Sequence, residues 1–293
     1  MKRHAAKLVK SLIPEALKRR IRSRLADRYY KPLPQSRGGA LTRRESGIFQ
    51  VDLPGATFLV PAETEPDIKA FVQEPVGIRE FDAFLSAARE RRSLLDIGGH
   101  KGLFSGLFCA AHLQNRAFCF EPSPALAETA RALAALNDFS DRFHVLERAA
   151  GAQSGSSTML VDPIGGFVQV ERFANTMWGE PREIRLEIES VDDFCRDRKI
   201  VPELLKIDVE GYEHEVLLGA AQTLARLRPW VFLELHLHYL EARGIAVSAT
   251  LGLLENQRYR FTLLDGTPIT GRELCDCPLS RVHLIARPAE AAG

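Results

Sequence analysis

The sequence lacks any run approaching the ~18 consecutive apolar residues that a membrane-crossing helix requires. A secretory leader is not expected either, since the basic start is followed by Leu8-Val9-Lys10-Ser11-Leu12-Ile13, too short and interrupted for an apolar signal core. These two absences give the expectation of a cytoplasmic protein, or one held peripherally on the cytoplasmic face of a membrane. Cysteine is scarce, with five in 293 residues, and Cys275-Asp276-Cys277 has no second Cys/His pair at zinc-site spacing. A disulfide framework is therefore excluded and reduced, mostly buried thiols are expected. Internal repeats and low-complexity tracts are absent as well. What remains is 45% hydrophobic and 26% charged, a balance that excludes a disordered or collagen-like chain.

The net charge of +1 conceals an asymmetry. Residues 1–44 carry fourteen Lys/Arg against only Glu15 and Asp27, a net +12, so the remainder carries −11. Leu17, Ile21, Leu25 and Tyr29 recur every four residues, which puts them on one helical face with bases around the rest. Two readings have equal standing: a helix in residues 1–30 lying on anionic lipid, or one packing its apolar stripe on the acidic body. An Arg-rich, acid-poor start also resembles a transit peptide. Nucleic-acid contact is not expected, because no interleaved aromatics or known module accompany the bases. Pro32, Pro34, Gly38 and Gly39 then mark a linker ending near Arg44.

The spacing predicts a β-hairpin from Ile48 to Val60, turning at Leu53-Pro54-Gly55-Ala56. From about residue 80, short apolar strands alternate with helices: a helix over Phe81–Arg92, strands at 93–97, 117–120 and 143–146, and helices over 102–113 and 124–137. The strand beginning at Leu204 precedes a helix over Tyr212–Leu227, a strand over Trp230–Leu235, a helix over 248–256 and late strands at 258–264 and 282–286. This rhythm implies an α/β fold with a doubly wound, mainly parallel sheet, decorated by a hairpin or lid over about 154–190. Such sheets bind ligands beyond the carboxyl ends of their strands.

Three strand ends carry candidate chemistry. Asp96-Ile97-Gly98-Gly99-His100-Lys101-Gly102 joins an acid to a glycine turn, and Glu121 ends the next strand, where it could accept both hydroxyls of a ribose. The glycine spacing of a dinucleotide fingerprint is missing, since His100 and Leu103 stand where two glycines would be needed. An acid before the turn suits a cofactor with a cationic amino-acid tail, such as S-adenosylmethionine, better than a pyrophosphate. Asp208, Glu210 and Glu213 crowd another strand end, part of which is plain helix capping. Strand alternation over Phe232–His238 would put Glu234, His236 and His238 on one side.

Together DIGGHKG (96–102), FEPSP (120–124), ERAAG (147–151), VDDF (191–194) and LKIDVEGYEHEVLLGA (205–220) followed by LELH resemble the FkbM-type S-adenosylmethionine-dependent methyltransferases. The resemblance spans roughly Leu94–His238. It implies the class I, Rossmann-like fold: a doubly wound seven-stranded sheet with an antiparallel last strand. To this the chain would add the basic arm and linker (1–44), the hairpin extension (45–79) and a tail (289–293) around a domain at 80–288. It also implies O-methylation of a hydroxyl on a sugar, glycan or secondary metabolite. Carried over by position, Asp96, Gly98, Gly99, His100 and Gly102 would line the methionine side of the cofactor. Glu121 and Pro122 would hold the ribose, Ala149 and Ala150 would lie near adenine, and Asp208 would border the cofactor. This chain departs from the family pattern at Gly99-His100, where Ala-Asn is usual, and at Ala152, where an acid is common.

Methyl transfer to a hydroxyl needs a base of near-neutral pKa. The first candidate is His236, with Glu234 orienting it or binding the acceptor, and Asp208 is the alternative. Asp208, Glu210, Glu234 and His236 could instead hold a divalent cation. Two rival functions are a nicotinamide-dependent oxidoreductase, disfavoured by the glycine spacing, and a non-catalytic membrane- or partner-binding module, disfavoured by the strand-end acids.

Overall fold

Short apolar runs that end in glycine or carboxylate become the strands of one large sheet in the computed structural model, which describes residues 40–44, 47–73, 75–161, 168–169, 182–277 and 279–289. Ahead of that sheet, β1 (Ala40–Arg43), β2 (Phe49–Leu53) and β3 (Ala56–Val60) form a small antiparallel sheet. Leu53 pairs with Ala56 across the expected turn, and β1 adds a third strand to the hairpin. A 3-10 turn (Ala62–Thr64), α1 (Glu65–Gln73) and α2 (Pro75–Glu90) follow. α2 begins at Pro75 rather than Phe81, because proline's fixed φ suits a helix's first position.

The body then runs β4 (Ser93–Ile97), α3 (Leu103–Ala111), β5 (Arg116–Phe120), α4 (Pro124–Leu136), β6 (Phe143–Leu146) and β7 (Ala149–Ala150). The insert holds β8 (Gly155–Val161), β9 (Val168–Gln169) and β10 (Arg182–Glu189), and α5 (Val191–Arg198) leads out of it. The second half comprises β11 (Leu204–Ile207), α6 (Glu213–Leu218), α7 (Ala221–Arg226), β12 (Trp230–Leu235), α8 (Leu237–Ala242), α9 (Val247–Glu255), β13 (Tyr259–Thr262), β14 (Pro268–Ile269), α10 (Gly271–Cys275) and β15 (Val282–Pro288).

In space the main sheet is ordered β14-β13-β15-β12-β11-β4-β5-β6. β6, β5, β4, β11 and β12 are mutually parallel, whereas β15 runs antiparallel between β12 and β13. This is the class I methyltransferase arrangement, with the two-residue β14 as an eighth strand. The winding reverses between β4 and β11, so a crevice opens beyond their carboxyl ends. β8 and β10 pair antiparallel from Gly155↔Ile188 to Val161↔Arg182, giving the insert its hairpin.

Apolar side chains fill both faces of the sheet. On one, Phe120, Phe194, Leu205 and Val231 are buried with α5, α6 and α9; on the other, Phe84, Leu107, Phe108 and Phe232 are buried under α2 and α3. Each such side chain contributes about 1.5–3 kcal/mol by leaving water. Phe58 and Val60 of β3 join the second cluster, so the hairpin extension shares a core with the body.

Two elements depart from their sequence patterns. The helix expected over Tyr212–Leu227 divides into α6 and α7, because the Asp192 carboxylate accepts the backbone N–H groups of Gln222 and Thr223 (2.9 and 2.8 Å) and caps a fresh helix start. β12 stops at Leu235: His236, at φ −87° and ψ 84°, caps α8, so the alternation does not extend to His238, which is exposed on that helix. The stripe Leu17–Tyr29 with its expected helix, residues 162–167 and 170–181 of the insert, and the tail past residue 289 lie outside the described residues. Among the described residues no helix is long and apolar enough to cross a membrane.

Candidate active site

Beyond the carboxyl ends of β4, β5, β11 and β12 lies a cleft of about 570 Å³, inside the range of small-molecule sites. Its two halves are built differently.

The first half is held by backbone. Gly98 and Gly99 both donate N–H to the Phe120 carbonyl (2.9 and 3.0 Å), locking the turn after β4 onto the end of β5. Gly98 has φ +78°, and a Cβ there would lie 1.8 Å from the Asp208 carbonyl oxygen. The glycine thus serves the close approach of two strand ends. Both glycines still border the cleft. Gly102 does not. It precedes α3 at φ +78°, and its bare Cα faces Phe143 and Ala130 beneath the turn. What requires a glycine at 102 is therefore this packing and the positive φ.

Glu121 bridges the two loops of this half. Its Oε2 accepts the His100 N–H (2.8 Å) and its Oε1 the Ser123 N–H (2.8 Å). Burial pushes its carboxyl up to about 7, against these two hydrogen bonds. His100 sits at φ 52°, and burial lowers its imidazole pKa. Lys101 donates to the Glu63 carbonyl (2.6 Å) and to Asp67 Oδ2 (2.8 Å), clamping the turn to α1. Asp96 is buried, accepts the Ser105 hydroxyl (2.7 Å) and has its pKa raised by burial. Pro122, Ala149 and Ala150 complete this wall.

The second half is held by side-chain charge. Lys206 is buried, with its ammonium 3.2 Å from Asp208 Oδ2, 3.9 Å from Glu80 Oε1 and 4.3 Å above the Phe104 ring. Burial opposes its charge, but Asp208, Glu80, Asp96 and Glu234 hold its pKa above the ordinary lysine value. Asp208 also resists burial and is held well below the usual carboxylate range by Lys206, His236 and His283. Glu234 and His283 are register partners across β12 and β15. His283 Nδ1 lies 3.2 Å from Glu80 Oε2, and its Nε2 lies 3.5 Å from Glu234 Oε1. Burial disfavours the imidazolium, yet Glu80 and Glu234 raise its pKa. Glu80 is lowered against burial by His283 and Lys206.

Glu234 is the exception among these carboxyls. Burial, then the Asp208 charge, push it up to about 7. Arg281 Nη1 (3.1 Å), His283 Nε2 (3.5 Å) and His236 Nε2 (3.7 Å) all approach its Oε1. The side chain borders the cleft.

His236 is placed otherwise than expected. It is buried and does not border the cleft. Its Nδ1–H donates to Glu213 Oε1 (2.7 Å), and Nε2 lies 3.2 Å from Glu210 Oε2. Burial disfavours its charge, but the Glu213 hydrogen bond and the Glu210 charge raise its pKa to about 9. With Nδ1 on Glu213, Nε2 facing Glu210 and the ring outside the cleft lining, His236 is placed as a buried partner of these two acids rather than where a base would meet the acceptor. Glu213 Oε1 also accepts the Gly211 N–H (2.9 Å), fixing the turn between β11 and α6.

The candidate metal set is brought together in part. Ligand atoms of Asp208, Glu234 and His236 lie within 4.8 Å of one another, as do those of Glu80, Glu234 and His283. Glu210 faces His236 instead, and Lys206 already places a cation among these acids. Sequence reasoning missed Glu80, Lys206, Arg281 and His283 as site residues. Three of the four had a visible signal: Glu80 interrupts an apolar helical stripe with Val76 and Phe84, while Lys206 and His283 interrupt apolar strands.

A profile of the methyltransferase FkbM domain matches residues 96–261, more than half of the chain. The chain belongs to the FkbM methyltransferase family. Among solved structures it is similar to the FkbM methyltransferase of Methylobacillus flagellatus, at 15% identity and TM-score 0.43, over 67% of this chain and 44% of that one. This chain therefore spans under half the length of that protein. A SAM-dependent methyltransferase of Agrobacterium tumefaciens is similar at 10% identity and TM-score 0.44, over 85% and 72% of the two chains. An O-methyltransferase of Bacillus cereus is similar at 12% identity and TM-score 0.40, over 71% and 78%. No curated protein sequence matches.

The FkbM domain contains Asp96, Glu121, Lys206, Asp208 and Glu234, whereas Glu80, Arg281 and His283 stand outside it. At the first departure from the FkbM pattern, His100 takes the left-handed backbone conformation that asparagine, the usual residue, also tolerates. The residues fit S-adenosylmethionine. Each Glu121 oxygen accepts one backbone N–H and keeps a second lone pair for a hydroxyl donor, and the cleft's acids suit a cationic ligand.

Proposed function

We propose that this FkbM-family chain transfers a methyl group from S-adenosylmethionine to a hydroxyl of a sugar, glycan or secondary metabolite, with Glu234 as the base. The observation that carries this reading is the placement of Glu234: its carboxyl is buried at the wall of the cleft, with Arg281, His283 and His236 gathered about Oε1. Its pKa of about 7 matches what general-base catalysis at neutral pH asks for.

S-adenosylmethionine, when bound, supplies the electrophilic methyl. Glu121 holds the ribose hydroxyls, Ala149 and Ala150 border the adenine, and Asp96 with the 98–100 turn borders the methionine portion. The rest of the work is alignment and proton removal. Glu234 accepts the proton of the acceptor hydroxyl, while Arg281 and His283 hold its carboxyl in place through Oε1. Asp208, paired with Lys206, stays ionised throughout and is too weak a base for this step.

The test is transfer of isotopically labelled methyl from S-adenosylmethionine into fractionated glycans and small metabolites, with the product identified by mass spectrometry. A methylated hydroxyl compound formed by the native chain and not by Glu234→Gln is expected. Label on nitrogen, carbon or sulfur, or full transfer by Glu234→Gln, would overturn the reading.

A further inference from the structure

Large apolar side chains are exposed at four places among the described residues: Leu113 (86%), Val201 (60%), Leu218 (42%) and Leu227 (38%). Three of the four share one edge of the sheet. Leu113, Val201 and Leu227 lie in the loops that enter β5, β11 and β12, each three residues ahead of the strand's first residue. Those strands are aligned: Leu94 of β4 pairs with both Ala117 and Leu204, and Leu204 pairs with Trp230. With neighbouring strands about 4.8 Å apart, the three loops line up over roughly 15 Å.

Backbone bonds fix these loops to one another. Arg116 N–H donates to the Arg92 carbonyl (2.9 Å), Glu203 N–H to the Ser93 carbonyl (3.0 Å) and Trp230 N–H to the Glu203 carbonyl (3.1 Å). The row is therefore a rigid edge, on the side of the sheet opposite the cleft.

The charge of that edge is net positive. Arg89, Arg92, Arg116, Lys199, Arg226 and Arg228 flank the three apolar side chains, against Glu90 and Glu203. Glu203 is already engaged, accepting the Arg92 N–H. An apolar protein interface core is depleted of charge, whereas here each apolar side chain stands singly among bases. That pattern fits a bilayer surface, where apolar side chains enter the acyl boundary and bases meet anionic headgroups.

We propose that the edge formed by the loops before β5, β11 and β12 docks on an anionic lipid bilayer, with Leu113, Val201 and Leu227 inserted. Docking there leaves the cleft facing water. Each base near such a surface strengthens binding about fivefold. The proposal is independent of the reaction catalysed.

The experiment is co-sedimentation of the full chain with phosphatidylcholine vesicles and with phosphatidylcholine–phosphatidylglycerol vesicles, at low and high salt. Binding to the anionic vesicles alone, weakened by salt, is expected. The combined Leu113→Asp, Val201→Asp, Leu227→Asp variant should lose about tenfold or more of that binding while circular dichroism and S-adenosylmethionine affinity stay native. Should that variant unfold, Leu113→Trp replaces it, and its emission is expected to shift to the blue on anionic vesicles only. Absence of native binding, equal binding to both vesicles, undiminished binding by the folded triple variant, or an unshifted Leu113→Trp emission would each overturn the proposal. So would a native dimer that the triple variant converts to monomer, which would make this edge a contact between copies.

Discussion

The two halves of the cleft solve different problems with different materials. Around Asp96, Gly98, Gly99 and Glu121 the parts come from two consecutive strand–helix units and are fixed by main-chain N–H groups that donate to the Phe120 carbonyl and to the Glu121 carboxyl. Around Glu234 the parts come from α2, β11, β12 and β15 and are fixed by buried ions, so shape and protonation are linked. A rigid frame suits a constant ligand, and a titrating cluster suits proton removal.

The sharpest way to break this comparison is Glu234→Gln. It should lower kcat about 10²–10⁴-fold while S-adenosylmethionine affinity, read by calorimetry, stays native. Loss of both together would mean the halves are not separable.

Next in size is His236→Gln, which leaves Glu210 and Glu213 without their buried cation. A stability loss of about 3–5 kcal/mol in urea unfolding is expected, because breaking a buried ion pair strands its partner. The folded pKa, raised to about 9 from 6.5, fixes the sign. The stabilisation is complete below pH 6.5 and disappears as pH climbs through about 9, so native and variant should converge over that window. An unchanged urea midpoint with abolished turnover would return His236 to the base role.

Glu121→Ala tests the rigid half. With two hydroxyl bonds to a carboxylate removed, S-adenosylmethionine Kd should rise about 10²-fold. The smallest effect is its pH dependence. Because the Glu121 carboxyl is pushed up to about 7, affinity should grow severalfold as pH passes upward through that value, and Glu121→Gln should flatten the curve. The same raised pKa makes folding less favourable as pH rises from 4.5 through about 7.

The rigid half was legible because its residues announce themselves locally: glycines at a strand exit, then an acid at the next exit. Gly102 carries a part that the pattern did not reveal, since a glycine needed against Phe143 and Ala130 looks in sequence like one needed against a ligand. The charged half was legible only where it falls in LKIDVEG and LEL. Glu80 and His283 are 203 positions apart and meet because β15 enters the sheet beside β12, a pairing no local pattern reveals. His236 failed for a simpler reason: alternation was carried one residue past the end of β12, onto a position that turns into α8.

That β15 stands inside the sheet has a practical side. Excising residues 96–261 as a minimal fragment would pull out an interior stave, together with the buried Val282, Leu284, Ile285 and Ala286. β12 and β13 would then face each other across a gap, each with an open row of amides inviting stray strands. The segment that matches the family is thus a stretch of chain rather than a free-standing body, and trimming trials should keep everything from β1 through Pro288.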